Sequence, residues 1–426
     1  MFTDKTFCTL PWSHIQINTT GNFKVCCFTG DPEKNIGGHG ISVDEDGSVM
    51  NIMTHSLADA MNSKIHKEIR LHQSLDMRHG ACRMCWDKDD ANVESMRVLQ
   101  NTRNIGVDGF IFREEAESRM SKDGSIDNLP VTLDIRFGNL CNAKCIHCEP
   151  LYSTLWYEDV EKVWGTDSFK VGPESYKIRQ ENGVYKADLQ QWWKSDNWLK
   201  EYELIKHRIR ELYITGGEPM VVPYHAEFLD RIIADGLAGN IRLGYDTNLL
   251  AINQNIISKF KHFKSLMISV SSDDIEERYE LIRFPSKWDR LQRNLALMKE
   301  NNIPIDRIST CIGIYSIHSL FRLFPHYSNL GYPNIRQRIL NSPTMFDMKW
   351  LPREAKINTI NKYMNSNIPR DIYQMTTGYL ANNIDVPENP YMLNQFVQRM
   401  NKLDEVRKTD WKSTFPEVVD MVKRYI

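Results

Sequence analysis

The sequence predicts an α/β fold built on parallel strands and followed by a helical region, on three observations. Strand-like and helix-like segments alternate beyond residue 130, with strands near 131–138, 211–217, 240–248, 265–273, 306–316 and 335–343. This is the order that parallel strands with crossover helices require. The strands also share a phase. In the first, Leu133, Ile135 and Phe137 lie on one face and Thr132, Asp134 and Arg136 on the other, and the apolar face belongs against the helices. The same phase turns Tyr213, Thr215, Arg242, Gly244, Asp246 and Asn248 inward, and then Ser269, Ser271, Ser309, Cys311, Arg336 and Arg338. Finally, these six strands are two short of a closed eight-stranded barrel, whose centre is filled by branched apolar side chains. A polar interior marks a solvated or ligand-filled cavity instead.

Taken in order, residues 7–28 read FCTLPWSHIQINTTGNFKVCCF and alternate over His14–Asn18 and Phe23–Phe28 around Thr19–Asn22, which predicts a β-hairpin. The stretch to about Met53, with Gly37, Gly38, Gly40 and Gly47 among acidic residues, has no periodicity and reads as a loop. From Thr54 to Leu75 the residues Leu57, Met61, Ile65, Ile69 and His72 recur at helical spacing behind a Thr/Ser cap. HGACRMCW then supplies a CxxC knuckle at Cys82 and Cys85 that opens a helix through Met96 and Leu99. Cys8, Cys26 or Cys27, Cys82 and Cys85 make a set of four thiolates, enough to saturate a zinc ion or an iron–sulfur cubane. Spacing alone does not separate those metals. Adjacent strand residues point to opposite faces, so one of Cys26 and Cys27 is expected to reach the site. Residues 119–130, RMSKDGSIDNLP, read as a linker.

The stretch that organises the chain follows the first parallel strand. DIRFGNLCNAKCIHCE places Cys141, Cys145 and Cys148 as CxxxCxxC. Three thiolates close neither a tetrahedral zinc site nor a cubane, so one position stays open to a small molecule. A zinc knuckle completed by His147 or Glu149 is the structural alternative. At the end of the second parallel strand stands TGGEP, Thr215–Pro219, where two glycines admit a close backbone approach and Glu218 offers an anion to an ammonium group.

On these motifs the chain resembles the radical S-adenosylmethionine (radical SAM) enzymes, whose signature is CxxxCxxC on the loop after the first barrel strand. The family usually has an aromatic residue before the third cysteine; here it is His147, an imidazole still able to pack against adenine. The resemblance implies an open (β/α)6 partial barrel, a [4Fe-4S] cluster on Cys141, Cys145 and Cys148, and SAM bound at its open iron. It also implies that Gly216, Gly217 and Glu218, flanked by Thr215 and Pro219, hold the SAM amino group. Asn248, Ser269 and Arg283 fall where relatives contact ribose, amino or carboxylate groups. CxxPW from Cys8, GxxxxC from Gly21 to Cys26, a helix and CxxC resemble the SPASM/twitch module, which implies an auxiliary [4Fe-4S] cluster on Cys8, Cys26, Cys82 and Cys85. In most relatives that module follows the barrel; here it precedes it.

Between the first and second parallel strands, residues 157–206 exceed what a crossover needs. Trp164, Trp192, Trp193 and Trp198 within them are read either as a substrate platform or as packing for an added helical hairpin. Beyond Pro352 helical patterns at Lys356–Met364 and Pro416–Ile426 predict a helical cover. The expected division is 1–118 for the small α+β iron–sulfur module, 119–130 for the linker, 131–345 for the barrel and 346–426 for the C-terminal helical region.

Composition excludes little else. A net charge of −2 from 53 basic and 55 acidic residues gives no overall pull toward nucleic acid or anionic membrane. MFTDKTFCTL lacks a signal-peptide pattern, no run approaches the roughly 18 apolar residues of a membrane span, and nine cysteines then read as thiols and metal ligands in the cytoplasm. The implied activity is reductive cleavage of SAM to a 5′-deoxyadenosyl radical that takes hydrogen from a peptide or protein, with an external flavodoxin- or ferredoxin-type donor. Dehydrogenation or epimerisation of a small sugar or aminocyclitol is the second enzymatic reading and a zinc-binding interaction protein the non-enzymatic one. The candidate catalytic groups are Asp134, Arg136, Asp246 and Cys311, the last as a hydrogen donor or a buried core thiol.

Overall fold

The computed structural model describes residues 4–30, 40–90, 94–171 and 174–426. Gly37 and Gly38 of the expected loop lie outside them. The chain divides into two units, one of residues 1–140, 168–245 and 258–266, the other of 141–167, 246–257 and 267–426.

In the first unit β1 (His14–Ile17) and β2 (Phe23–Lys24) form the expected hairpin, and β1 also pairs in parallel with β3 (Thr132–Arg136). An antiparallel meander follows, β4 (Ser168–Val171), β5 (Glu174–Glu181) and β6 (Val184–Ala187), and then β7 (Glu211–Thr215) and β8 (Arg242–Thr247). The sheet order within this unit is β8-β7-β3-β1-β2. Register sets Asp134 beside Gln16 and Tyr213, and Arg136 beside Thr215, so these polar residues share a face. Leu133, Ile135, Leu212, Ile214 and Leu243 are fully buried on the other.

The second unit carries β9 (Ser265–Ser271), whose first two residues belong to the first unit, β10 (Arg307–Ile312) and β11 (Ile335–Ile339), all parallel. Ser271, Ser309 and Arg336 form one lateral row, and Cys311 stands beside Arg338. The opposite face buries Val270, Ile308 and Ile312. Gln337 also points that way, bonding Thr376 and the Ile372 carbonyl on the helix Arg370–Asn382.

Four expectations are corrected. The helix expected over 54–75 is two, Leu57–Met61 and Lys64–Ser74. The cause is Arg70, which is fully buried and donates to the carbonyls of Met61, Pro11 and Gly124 and to Asn62 Oδ1. A carbonyl engaged by a guanidinium and an Asn62 side chain engaged by Ile126 end the first helix. The helix expected from the CxxC knuckle is a 3-10 turn, Gly80–Cys82, with separate helices Arg83–Asp90 and Met96–Arg103. The 157–206 insertion is a three-stranded meander and the helix Asp196–Ile205, rather than a helical hairpin. The C-terminal region contains, besides Arg353–Met364 and Pro416–Val422, the helices Arg370–Asn382 and Pro390–Arg407, which periodicity did not disclose.

Candidate active site and metal centres

The loop after β3 has no regular structure through the cysteines, and backbone bonds hold it in place. Lys144 and Ile146 N–H donate to the carbonyls of Phe284 and Ile282 at 2.7 and 2.9 Å. Arg407 Nη2 and Ser153 Oγ donate to the carbonyls of Lys144 and Ala143, both at 2.6 Å. Cys145 is buried and Cys141 and Cys148 are half-buried. Burial pushes the Cys148 thiol well up, and its neighbours Cys145 and Cys141 push it further. The three thiols are therefore close enough to act on one another, as shared ligation of one cluster requires. Such ligation displaces their protons.

Beside this loop, Arg283 pairs with Asp273 at 2.9 Å and points Nη1 at Cys145 Sγ, 3.9 Å away. Asp273 is fully buried and accepts from Cys311 N–H at 2.7 Å. His147 Nδ1 lies 2.7 Å from Tyr315 Oη, with the two rings nearly parallel. Burial pushes the His147 imidazole down to about 4, against the pull of Asp273, so at neutral pH it is an uncharged ring. Donor atoms of His147, Asp273 and Cys311 lie within 4.8 Å of one another, but the guanidinium on Asp273 already supplies the cation there. Asn248 Nδ2 donates to Asn142 Oδ1 at 2.6 Å, and its Oδ1 accepts from Leu250 N–H. Ser269 is 1% exposed and its hydroxyl has no hydrogen-bond partner among the described residues. A buried orphan hydroxyl fits a polar ligand. Asp246 is half-buried near the end of β8.

In the first unit TGGEP packs on the residues that lead into the cysteine loop. Gly217 and Glu218 N–H donate to the carbonyls of Gly138 and Leu140 at 3.3 and 2.8 Å. A Cβ at Gly217 would sit 2.3 Å from Leu140 O, and Gly216 holds a φ of +127°. Glu218 is 1% exposed, and its Oε1 accepts from Met220 N–H. A carboxylate that buried fits a cationic ligand group. Thr215 is half-buried and Pro219 buried at the two ends of the motif. Asp134 accepts from Gln16 Nε2 at 2.7 Å with Arg136 Nε 3.9 Å from its other oxygen. Trp192 and Trp198 are fully buried and Trp193 is 8% exposed against Gly138, so these three pack the unit.

The auxiliary cysteines surround one cavity. Cys8, Cys26, Cys82 and Cys85 line it with Thr29, Trp86 and Arg97. Cys27 does not. Burial pushes the Cys8 thiol up, reinforced by Cys85 and Cys26, and Cys26, Cys8 and Cys85 push Cys82 the same way, so the four sulfurs sense one another. Cys26 lies beyond the end of β2, where its sulfur contacts Thr29 Oγ1 at 3.3 Å. The alternation argument for choosing between Cys26 and Cys27 therefore does not hold, since both residues follow the strand. We expect Cys26→Ala to cost the auxiliary cluster, about four irons, and Cys27→Ala to retain it. Iron analysis after anaerobic reconstitution checks this.

Two family models match the sequence, one described as the radical SAM superfamily over residues 135–318, the other as SPASM, an iron-sulfur cluster-binding domain, over residues 8–86. Residues 135–318, a little over two-fifths of the chain, thus match the radical SAM superfamily. The fold is a partial (β/α)6 barrel, the two matched families imply [4Fe-4S] clusters and SAM, and the SPASM sequence precedes the barrel. No curated protein matches. Solved structures with similarity include anSMEcpe with bound AdoMet and Kp18Cys peptide (13% identity, TM-score 0.36, covering 59% of this chain and 62% of that one). Streptococcus suis SuiB is similar both with S-adenosylmethionine (12%, TM-score 0.39) and with its precursor peptide SuiA (11%, TM-score 0.38), each covering 82% of this chain and 71% of that one. The chain thus spans about three-fifths of the first structure's length. Among the described residues no helix is long and apolar enough to cross a membrane.

Gln16, Arg97, Asp273 and Tyr315 are not identified from sequence. Asp273 continues the inward phase of Ser269 and Ser271 and was legible there. The others depend on pairings that sequence does not show.

Proposed function

We propose that this radical SAM enzyme modifies a peptide or protein by hydrogen abstraction, with oxidation, crosslinking or epimerisation as the outcome. The observation that carries the reading is the hairpin β1–β2, which joins the edge of β3 and extends the polar face of the barrel strands toward the auxiliary cysteines. Gln16 and Asp134 on it are buried, so the strip is interior, and its row of amide and carboxylate partners suits an extended peptide backbone better than a compact sugar.

In this reading Cys141, Cys145 and Cys148 hold the SAM cluster and Cys8, Cys26, Cys82 and Cys85 the auxiliary one. SAM held there would supply the radical chemistry that abstracts hydrogen from the substrate. Gly216 and Gly217 open the backbone to it, Glu218 binds its ammonium, and Ser269 offers a buried hydroxyl. Asn248 fixes the cysteine loop through Asn142, and Arg283 acts on Cys145 while bound to Asp273. His147 provides an uncharged ring for adenine. Asp134, Arg136 and Asp246 are assigned to the substrate side, and Cys311 is the thiol available to return a hydrogen. A flavodoxin- or ferredoxin-type protein supplies electrons. The domain division 1–118, 119–130, 131–345 and 346–426 belongs to the same proposal.

Reconstituted enzyme with SAM, dithionite and a peptide library is expected to yield peptides lacking two hydrogens, or, in heavy water, peptides that gain deuterium. Mass spectrometry reads both. Turnover of an aminocyclitol or sugar with every peptide unchanged would overturn the peptide assignment.

A further inference from the structure

Of the four auxiliary cysteines, Cys26, Cys82 and Cys85 sit in local structure. Cys26 N–H donates to Thr29 Oγ1 at 3.0 Å, Cys82 ends the 3-10 turn Gly80–Cys82, and Cys85 lies in the helix Arg83–Asp90. Cys8 is different. It lies in no helix or strand, just before the short helix Leu10–Ser13, and the peptide groups on both sides of it are gripped from a distant part of the chain. Asn101 Nδ2 donates to the carbonyl of Phe7, and Asn101 Oδ1 accepts from Thr9 N–H, both at 2.9 Å. One side-chain amide thus spans the cysteine.

Arg97, one turn earlier on the same helix, Met96–Arg103, adds a second grip. Its Nη1 donates to the carbonyls of Asp4 and Phe7 at 2.8 and 3.0 Å. Its Nε and Nη2 donate to Asp89 Oδ2 at 3.0 and 2.7 Å, and the guanidinium lies over Trp86, 5.3 Å from the ring centre. Asp89 and Trp86 belong to the helix that carries Cys85. Arg97 therefore ties the Cys8 segment to the Cys85 helix, and its rigid planar fork holds the two at one spacing. It is buried and lines the cavity of the four thiols. The helix bearing Arg97 and Asn101 lies beyond the matched SPASM residues 8–86.

Ligands of a metal site keep their orientation through the groups that hydrogen-bond around them. We propose that Asn101, braced by Arg97, is a positioning residue that presents Cys8 to the auxiliary cluster, so that the site extends to a helix outside the cysteine motif. Neither residue is a ligand. Without the amide across it, the irregular segment regains backbone freedom and the Cys8 thiolate leaves its iron more readily. The inference rests on the assignment of Cys8, Cys26, Cys82 and Cys85 to one cluster and is independent of the substrate.

The test uses the full chain carrying Cys141/Cys145/Cys148→Ala, reconstituted anaerobically, so that the auxiliary cluster gives the only signal. In Asn101→Leu a ferrous chelator should remove iron about tenfold faster than in its parent, the size expected for two lost hydrogen bonds. Cyanide should change the EPR signal of the dithionite-reduced variant and leave that of the parent unchanged. It takes the position at iron that the Cys8 thiolate leaves, a ligand exchange without change of oxidation state. Asn101→Asp, which keeps the acceptor for Thr9 N–H, should fall between the two, and Thr102→Ala, at an exposed position on the same helix, should match the parent. Equal chelation rates and a cyanide-insensitive signal in Asn101→Leu would overturn the proposal. So would faster chelation with a signal that cyanide leaves unchanged, which would make Asn101 a residue of the fold alone. Should Asn101→Leu hold no iron, Arg97→Lys is measured in its place; loss of the cluster from both would assign the helix to folding and overturn the positioning role. A parent without iron would overturn the cluster assignment and the inference with it, whereas a parent with about four irons and unresponsive variants removes the inference alone.

Discussion

Replacing Cys141, Cys145 and Cys148 together by alanine is expected to abolish 5′-deoxyadenosine formation while leaving about four irons in the protein. The two thiol sets are separate. Cys8, Cys26, Cys82 and Cys85 line their own cavity in the first unit, and the other three lie on the loop that opens the second. The loop's backbone is held by Phe284, Ile282 and Arg407 rather than by its sulfurs, so the variant should keep its fold. The only buried cysteine of the three, Cys145, loses little volume on becoming alanine. Loss of activity to background with unchanged circular dichroism is the expected pattern. Residual 5′-deoxyadenosine would show that another site cleaves SAM.

Gly217→Ala should have the next largest effect. A methyl group there would meet Leu140 O at 2.3 Å and the carbonyl carbons of Asn139 and Leu140 at 2.7 Å, and neither is the movable end of a side chain. The backbone must part at the contact where Glu218 N–H bonds Leu140 O, shifting both Glu218 and the residue before Cys141. Overpacking of this kind costs about 1–3 kcal/mol. If that strain falls on the bound state, SAM binding weakens by roughly 5- to 150-fold. Gly239→Ala is the control, since nothing lies within 4 Å of its added Cβ and its φ is ordinary. Calorimetric titration of each reconstituted variant with SAM measures the difference, and equal affinities would remove the close-approach role of Gly217.

How much of this was legible followed from the range of the forces involved. The six parallel strands were readable because each alternates an apolar face with a polar one over a few consecutive residues. The CxxxCxxC loop was readable because its ligands sit within one loop. The break at Asn62 was not, because it is made by Arg70 and Ile126 from elsewhere in the chain. The β4–β6 meander was hidden for another reason. Its last strand, Val184–Ala187, alternates exposed with half-buried positions and has no buried face, and β5 offers only the two buried positions Tyr176 and Ile178, too few to announce a period. A start signal for the helix Pro390–Arg407 was present in Asn389 and Pro390, where the Asn389 side chain accepts from Met392 N–H. The pairing of Arg283 with Asp273 and of His147 with Tyr315 joins different elements, and no local pattern encodes it.

The central claim is a protein with two iron–sulfur clusters, one of which has an iron open to SAM. Anaerobic iron and sulfide analysis of the wild-type protein, with EPR of the dithionite-reduced sample before and after SAM is added, tests it most directly. About eight irons per chain and a signal that SAM perturbs are the predicted result. Stoichiometric zinc without iron after anaerobic reconstitution, or two clusters whose signals SAM leaves unchanged, would contradict it.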